Sequence, residues 1–386
     1  MRRKLSPGRT VALWVALAGL LAGCAAPANS TVTTPGKALT IYTSMPSGGV
    51  ADQRAQDVLA AEQLALKQTG AQVSGYTITL RTLQGKKLSD NARTAIQDPH
   101  AIAYLGEVVP GQSADSIGIT NAVALPELSP TDTAQALTQA TRVVPGAPKL
   151  YYEDYTTYGR TFARLVPTTS KEALALVQEM GRLGVRSLYV ATDGSDYGKS
   201  LAAAVRNAAG SISIASSPSG ADAVLAASAS ENAAAQVFNA AASSSTTVKL
   251  FGPSALNDEA FVALLSPAAQ RDLYVSTPGF QSNQLSAAGT SFVNSFQSTY
   301  QHPPAPEAIF GYEAMSAVLA ALRQAGSSAN NRAIVLKNLL ARNESASVLG
   351  SYRLQGSGDT TLAGPFLFSH VKAGRLQPFA SIAQVG

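Results

Sequence analysis

The sequence predicts an α/β protein of two lobes, each built on a parallel sheet with helices on both faces. From Leu39 onward, short apolar strands alternate with amphipathic helices, and this order is typical of parallel sheets. The alternation begins again after Arg160. The chain beyond its first 23 residues, about 360 residues long, is too long for a single hydrophobic core, so two lobes are expected.

The elements of the first lobe follow from hydrophobic periodicity. A helix is predicted over 52–67 because Val58, Leu59, Glu62 and Leu66 recur at helical spacing among alanines. The other predicted elements are strands at 39–42, 76–80, 101–105 and 122–125, and helices at 90–97 and 113–121.

The second set of elements begins with an amphipathic helix over 169–183, in which Leu174, Val177 and Met180 share one face. Gly326 is a good stop for a later helix. The remaining predictions are strands at 187–192, 223–226, 248–251 and 273–276, helices from 199, at 308–325 and at 333–340, and a small β appendix over 351–376 with turns at 356–359 and 373–374.

The N-terminal segment has the pattern of an export signal ending at the single cysteine. Four basic residues precede or flank the apolar stretch Val11–Ala22, which is shorter than the ~20 residues a membrane-spanning helix needs. Leu21-Ala22-Gly23-Cys24 resembles a bacterial lipobox, which implies cleavage before Cys24 and a lipid on its thiol. The alternative is an ordinary secretory signal. Residues 25–37 are small and polar, as in a flexible tether.

Composition and motifs exclude several classes of function. Without the four basic residues of the leader, 25 of the 29 Lys and Arg remain against 24 Asp and Glu, so the exported chain has a net charge of +1 and no signature of nucleic-acid binding. Histidines 100, 302 and 370 are scattered, and the sequence has no nucleophile elbow or phosphate-binding loop. We therefore expect no enzymatic activity, no metal and no cofactor.

Six segments carry a resemblance to a known family. They are IYTSMPSGG, AIAYLGEVVPGQSADS, AVALPELSPTDT, GRTFARLVPTTSKEA, SLYVATDGSDYGKSLA and FGYEAMSAVLAALRQAG. In order and spacing they resemble the type I periplasmic binding proteins, and more narrowly the branched-chain amino-acid (Leu/Ile/Val) substrate-binding proteins of ABC transporters. The resemblance extends from Leu39 to Phe379.

The resemblance implies two Rossmann-like lobes joined by a three-strand hinge. Lobe 1 would comprise 39–157 and 281–345, and lobe 2 would comprise 158–280 and 346–386, after the signal peptide 1–23 and the lipidated tether 24–38. A small solute would bind in the cleft, by default a branched-chain amino acid, with a small amide or carboxylate compound as the alternative. The protein would be a monomer anchored outside the cytoplasmic membrane, in the periplasm or on the membrane's outer face. Its protein partner would be an ABC permease. The alternative is a sensing or interaction lipoprotein on the same fold, such as a regulator of cell-envelope synthesis.

Candidate ligand residues in the first lobe lie on the loops after its strands. Ser47 is on the first loop, beside glycines that permit close approach, although an ordinary turn explains it equally. Glu107 and Gly111 follow the strand at 101–105 and are expected to face the cleft, where the backbone N–H groups of Gly111 and Ser113 would suit a carboxylate. Ser113 is alternatively a simple helix cap. Hydroxyls of the next loop complete this set: Ser129, Thr131 and Thr133.

The second lobe contributes a tyrosine and a departure from the family pattern. Tyr197, in the Asp-x-x-Tyr-Gly turn, would form a wall of the pocket or pack at a helix start. Tyr151, Tyr152, Tyr155 and Tyr158 form a cluster that suits a cleft or covers a hinge. Ser254 follows Gly252-Pro253 where the family places a carboxylate for the ligand ammonium. Three residues that follow within a turn are the predicted substitutes: Asn257, Asp258 and Glu259.

Overall fold

The computed structural model describes residues 32–46 and 53–382, and all of them belong to one compact unit. The predicted signal peptide, the lipidation site Cys24 and the candidate ligand residue Ser47 lie outside the described residues. Among the helices that are described, none is long and apolar enough to cross a membrane. Every other candidate ligand residue is described.

The first sheet has six strands. They are β1 Ala38–Ser44, β2 Gln72–Val73, β3 Tyr76–Leu83, β4 Ala101–Leu105, β5 Glu127–Ser129 and β6 Phe162–Arg164. Their spatial order is β2-β3-β1-β4-β5-β6. All neighbours are parallel except β2 and β3, which form an antiparallel pair.

The second sheet has seven strands in the order β15-β14-β11-β10-β9-β7-β8, and β12 pairs with β13 in a separate hairpin. The strands are β7 Ser187–Thr192, β8 Ser213–Ile214, β9 Ala223–Ala227, β10 Lys249–Gly252, β11 Leu273–Pro278, β12 Asn343–Ser347, β13 Gly350–Arg353, β14 Phe366–Lys372 and β15 Arg375–Ile382. The pairs from β8 to β11 are parallel, and β14 and β15 add an antiparallel edge.

Twelve α-helices connect the described strands. They are α1 Gln53–Gln68, α2 Leu88–Gln97, α3 Ile117–Asn121, α4 Tyr155–Tyr158, α5 Thr169–Arg182, α6 Asp196–Ala208, α7 Glu231–Ser244, α8 Glu259–Ala263, α9 Pro267–Arg271, α10 Ala287–Tyr300, α11 Ala308–Ala325 and α12 Arg332–Leu340. Several begin at a serine cap: the side chains of Ser195, Ser230 and Ser286 each accept a backbone N–H of the first turn.

The core of the first lobe lies between its sheet and the helices α1 and α11. Leu39, Ile41, Leu64 and Val318 are fully or almost fully buried in this cluster. The two helices approach so closely that a Cβ at Gly311 would lie 2.6 Å from the carbonyl oxygen of Val58, so only glycine fits there. Helix α11, from a distant part of the chain, thus completes the first lobe. The chain therefore leaves the first lobe, builds the second and returns to the first.

Sequence periodicity predicted several elements accurately but missed the helices α7 and α10. The helix predicted over 113–121 is instead a short 3-10 helix, Gln112–Asp115, followed by α3. The predicted strands at 101–105 and 187–192 and the helix at 308–325 have the observed bounds. The predicted strand at 122–125 is wrong: this apolar segment forms turns, with Ala124 in the left-handed region at φ 54°, and the strand begins only at Glu127. An apolar run marks burial without distinguishing a buried turn from a strand.

The C-terminal segment corrects a second expectation. The turn at 373–374 forms the predicted hairpin, but this hairpin is not a separate appendix, because β14 pairs with β11 and extends the second sheet. Phe366 and Phe368 are fully buried there, which explains the attachment. The two-lobe α/β fold is confirmed, and the exact lobe boundaries stay a prediction.

Candidate functional site

The two lobes meet where their parallel strands end. The loop after β4 reaches the first turn of α6, and a Cβ at Gly111 would lie 3.0 Å from the Cβ of Tyr197. Gly111 also has φ 88°, a left-handed conformation that glycine adopts without strain. The structure therefore brings together two candidate residues, Gly111 from the first lobe and Tyr197 from the second.

The candidate hydroxyls after β5 tie two loops of the first lobe together. Ser129 Oγ donates to the carbonyl of Glu107 at 2.7 Å, and Thr131 Oγ1 donates to the carbonyl of Val108 at 2.5 Å. Ser129 Oγ also accepts the backbone N–H of Asp132 at 2.8 Å. Both hydroxyls are buried and engaged, so their observed contacts fix the shape of the loops.

Asp132, which the sequence analysis did not select, is the main acceptor of this region. Its Oδ1 accepts the backbone N–H of Gly111 at 2.7 Å, and its Oδ2 accepts that of Ser113 at 2.9 Å. Oδ1 also accepts the N–H of Ala134 at 2.9 Å. The side chain of Asp132 is fully buried. The only sequence signal was its place in the Ser-Pro-Thr-Asp-Thr loop.

Glu107 turns into the first lobe. Its Oε2 accepts from Ser44 Oγ at 2.6 Å, and its Oε1 accepts from Tyr104 OH at 2.8 Å. Burial raises the pKa of Glu107 to about 7. A second buried carboxyl, Glu127, accepts from Ser116 and Thr120, and burial raises its pKa well above the usual range. This pair belongs to the interior rather than to the surface between the lobes.

A further buried carboxyl group, that of Glu172, lies between the lobes on the first turn of α5. Glu172 Oε1 accepts the N–H of Ser254 at 2.6 Å and Ser276 Oγ at 2.7 Å. Its Oε2 accepts from Thr133 Oγ1, in the first lobe, at 3.3 Å. Burial raises the pKa of Glu172. We call Thr133, Glu172, Tyr197, Ser254 and Ser276 the Glu172 cluster.

Two hydroxyls of the Glu172 cluster lack well-aligned hydrogen bonds among the described residues. Tyr197 OH and Ser254 Oγ are both buried and have no partner in ideal hydrogen-bond geometry. Tyr197 OH nevertheless lies close to the Thr133 and Ser254 hydroxyls, and Ser254 Oγ lies close to the Glu172 carboxyl group. Burial first, and then the charge of Glu172, raise the pKa of Tyr197 well above its usual range. Glu172 therefore supplies an acid beside Ser254, from a helix far away in sequence, where the family pattern had led us to expect one at position 254.

The other two candidates of the second lobe lie nearby. Asn257 Nδ2 donates to Glu307 Oε1 at 2.7 Å, and Thr277 Oγ1 donates to the same oxygen at 2.7 Å. Across the interface, Arg54 Nη1 donates to the carbonyl of Ser254 at 3.2 Å. Asp258 caps α8 by accepting the N–H of Ala260 at 2.8 Å. Asn257 thus belongs to the junction, whereas the contact observed for Asp258 is a helix cap.

A cavity of about 270 Å³ lies beside Gly111 and Tyr197 and is lined by residues of both lobes. Its walls are mainly apolar and include Pro110, Ala134, Ala136 and Leu137. Of the four clustered tyrosines, Tyr151 lines it, with its hydroxyl donating to Asp196 Oδ2 at 3.0 Å. This volume suits a small solute with an apolar part.

The described residues hold no group of three or more His, Asp or Glu side chains positioned to bind a metal ion.

The two residues that sequence reasoning missed, Asp132 and Glu172, are acceptors whose importance depends on distant donors. Glu172 follows Lys171 at the start of an amphipathic helix, and nothing in that local pattern distinguishes it from a solvated glutamate.

Part of the chain is similar in sequence to a known protein family. Residues 211–375 match the family model described as periplasmic binding protein. No curated protein sequence is significantly similar to the chain.

Solved structures with the same fold include a leucine binding protein from Thermotoga maritima (19% identity, TM-score 0.72, 89% of this chain and 98% of that one). A branched-chain amino acid transporter substrate binding protein from Streptococcus pneumoniae, in complex with isoleucine, has 17% identity and a TM-score of 0.69 over 89% of this chain and 99% of that one. A solute binding protein from R. palustris, in complex with benzoate, has 17% identity and a TM-score of 0.66 over 90% of this chain and 97% of that one.

These neighbours are named as binding proteins rather than enzymes, in agreement with the absence of a catalytic pattern in the sequence. At such identities the structural likeness shows the fold, and the family model adds a direct sequence match over 165 residues. Residues 211–375 are thus similar in sequence to periplasmic binding proteins, and the described chain has the type I periplasmic binding fold.

Proposed function

We propose that this chain is a solute-binding protein of an ABC importer, which captures a small polar solute between its lobes and presents it to a membrane permease. The observation that carries the proposal is the Glu172 cluster, in which groups from both lobes meet around two buried hydroxyls that have no partner in ideal geometry. Buried polar groups are nearly always hydrogen-bonded, and a bound solute would offer these hydroxyls better-aligned partners than Thr133, Glu172 and each other.

The ligands named for the solved neighbours support a small solute without fixing its class. Two neighbours are named for leucine or crystallised with isoleucine, and a third is in complex with benzoate. The fold therefore accommodates both aliphatic and aromatic solutes. A branched-chain amino acid is the default that the sequence resemblance gives.

The anchor and location in this proposal rest on the sequence. Cys24 at the end of the leader supports a lipoprotein held at the membrane by acyl chains, outside the cytoplasm. The tether after it would leave the two lobes free to close on a solute and to contact the permease. The chain would act as a monomer.

A second candidate is a sensing or interaction lipoprotein whose cleft no longer binds a solute. The observation in its favour is that Glu172 already bridges the lobes by accepting from Thr133 and from Ser254. These hydrogen bonds would stabilise the closed conformation of the cleft without a bound ligand.

The test is calorimetric. The full chain, purified from bacterial membranes in a nonionic detergent, is titrated with amino acids, small amides, ureas, amines and carboxylates. A solute at ~100 times its dissociation constant stabilises the folded state by ~2.7 kcal/mol, which scanning calorimetry detects as a rise of a few degrees in the unfolding midpoint.

Variants identify the site of any solute that binds. Tyr197→Phe and Ser254→Ala remove the two buried hydroxyls, and each should weaken binding by about tenfold. Tyr189→Phe is the matched control, because Tyr189 packs against a different core cluster of the second lobe. Binding that is unaffected by both cleft variants, or no binding across the panel, would contradict the transport proposal and favour the interaction lipoprotein.

A further inference from the structure

The loop that would hold a ligand carboxylate already holds a carboxylate of the chain itself. Asp132 accepts the backbone N–H groups of Gly111 and Ser113 with its two oxygens, at 2.7 and 2.9 Å. These are the two donors that the sequence marked for a ligand carboxylate. In the structure, the anion that they bind comes from the next loop of the same lobe.

A backbone amide has one hydrogen to donate, so a ligand carboxylate could use this pair only by displacing Asp132. Displacement would leave a fully buried carboxylate without two of its three donors. Removing donors from a buried charge is strongly unfavourable. The described loop therefore selects against solutes that carry a carboxylate at this end.

The junction between the lobes holds a second buried acid. Glu172 is fully buried and accepts from Ser254, Ser276 and Thr133. Its carboxyl oxygens are further hydrogen-bond acceptors, which suit a solute rich in N–H donors better than a solute that carries a carboxylate.

The nearby arginines, Arg164 and Arg54, do not offer an uncompensated positive charge to a ligand carboxylate. Arg164 forms an ion pair with Asp359, its Nε lying 3.0 Å from Oδ1. Arg54 donates to the carbonyl of Ser254, and its charge acts on the buried Glu307. Both positive charges thus have a negative partner among the described residues.

We propose that the interlobe site takes a small solute with N–H donors and no carboxylate, a primary amide or amine, and that Asp132 sets this specificity by occupying the N–H groups of Gly111 and Ser113. The inference rests on the proposed solute-binding function. The hydroxyls of Tyr197 and Ser254 can both donate and accept, so they could pair with the N–H groups and with the carbonyl oxygen of an amide.

The first experiment compares four matched solutes on the full chain in detergent. L-leucine and L-leucinamide form one acid–amide pair, and isovalerate and isovaleramide form a second pair with the same isobutyl group. Within each pair the only difference is carboxylate against amide. Titration calorimetry should show that L-leucinamide or isovaleramide binds at least about tenfold more tightly than its acid counterpart. Binding of L-leucine or isovalerate as tight as that of the amides would overturn the inference and leave the solute-binding function standing.

The second experiment tests Asp132 without needing the natural solute. Asp132→Ala frees three N–H donors, those of Gly111, Ser113 and Ala134, in a space the size of a carboxylate. Millimolar acetate should therefore raise its unfolding midpoint by several degrees more than acetamide does. Wild type should not respond. Asp222→Ala is the matched control, because the Asp222 carboxylate also accepts two backbone N–H groups, of Arg186 and Ser187, at the start of β7.

If Asp132→Ala does not fold, Asp132→Asn keeps one acceptor oxygen, and its preference for amide over acid should fall at least about threefold. Rescue of Asp132→Ala by acetate, with no solute bound by wild type, would keep the assignment of the loop and refute the solute-binding function. A folded Asp132→Ala that acetate does not stabilise would overturn the role of Asp132.

Discussion

Arg164 and Asp359 form a buried ion pair, with Nε 3.0 Å from Oδ1 and side-chain exposures of 0% and 4%. Arg164 ends β6, just before the chain enters the second lobe, and Asp359 lies in the turn between β13 and β14. The backbone N–H of Arg164 also donates to the carbonyl of Gly358 at 2.9 Å. The pair therefore fastens two segments that run between the lobes.

Removing one partner of this pair should be costly. Asp359→Ala leaves the Arg164 charge buried without its carboxylate, and we expect a loss of about 3–5 kcal/mol in unfolding free energy. Asp90→Ala, which removes the partner of Arg93 in a pair exposed by 58% and 52%, should cost under about 1 kcal/mol. Urea unfolding of the full chain measures both. Equal losses would mean that the buried pair adds nothing beyond a surface pair.

Stability should fall as the pH rises from about 4.5 to 8. Burial raises the pKa of Glu62 to about 8 and that of Glu107 to about 7, so in this range the folded state holds protons that the unfolded state has released. Stability then decreases with increasing pH. Scanning calorimetry from pH 4.5 to 8.5 should show a falling midpoint, and a midpoint that rises over this range would refute the assignment.

Glu62→Gln isolates the larger contribution. Both carboxylate oxygens of Glu62 are buried, and burial outweighs the hydrogen bond from the neighbouring Thr43, so the ionised form is disfavoured in the folded state. The variant should be more stable than wild type at pH 8 by a few kcal/mol and should show a flatter pH dependence. The exposed Glu153→Gln serves as control and should leave the pH profile unchanged.

Gly111→Ala tests the close approach of the lobes. Its Cβ would lie 3.0 Å from that of Tyr197, in addition to the cost of a left-handed backbone, which is about 1 kcal/mol. Gly146→Ala has the same conformation at φ 85° but meets only Leu150 at 3.7 Å. Gly111→Ala should therefore lose about 1 kcal/mol more than the control and scatter X-rays as a more open molecule. Identical behaviour of the two variants would argue against the contact.

Glu172→Ala should destabilise the junction between the lobes. It leaves the Ser254 N–H, Ser276 Oγ and Thr133 Oγ1 without their acceptor, at a cost of about 1–3 kcal/mol for each buried group that stays unsatisfied. Glu179→Gln, two turns along the same helix, should change stability by under about 1 kcal/mol. Chemical unfolding monitored by circular dichroism gives both values, and a mild Glu172→Ala variant would mean that water replaces the carboxylate.

Cys24→Ser should release the chain from the membrane. In the proposed lipoprotein, the acyl chains on Cys24 supply ~0.8 kcal/mol per buried methylene, so loss of the thiol should move the chain out of the membrane fraction. Ala26→Ser, two residues further on, should remain with membranes. Retention of Cys24→Ser on the membrane after a salt wash would contradict lipid anchoring.

The two-lobe α/β architecture and the bounds of several elements could be predicted from the sequence, because hydrophobic periodicity and helix caps act over a few residues. It also placed Gly111 and Tyr197 near the cleft, since the loops after parallel strands gather at one edge. Their direct contact, the turn at 122–125 and the attachment of β14 to β11 were decided by packing between distant segments.

The pairing of hydrogen-bond donors with acceptors depends on the tertiary structure. Asp132 accepts from Gly111, 21 residues away, and Glu172 accepts from Ser254, 82 residues away. A carboxylate has the same local sequence signature whether it is solvated or buried. The distinction between a loop that binds a ligand carboxylate and a loop already filled by Asp132 depends on distances of about 3 Å that arise only when the chain is folded.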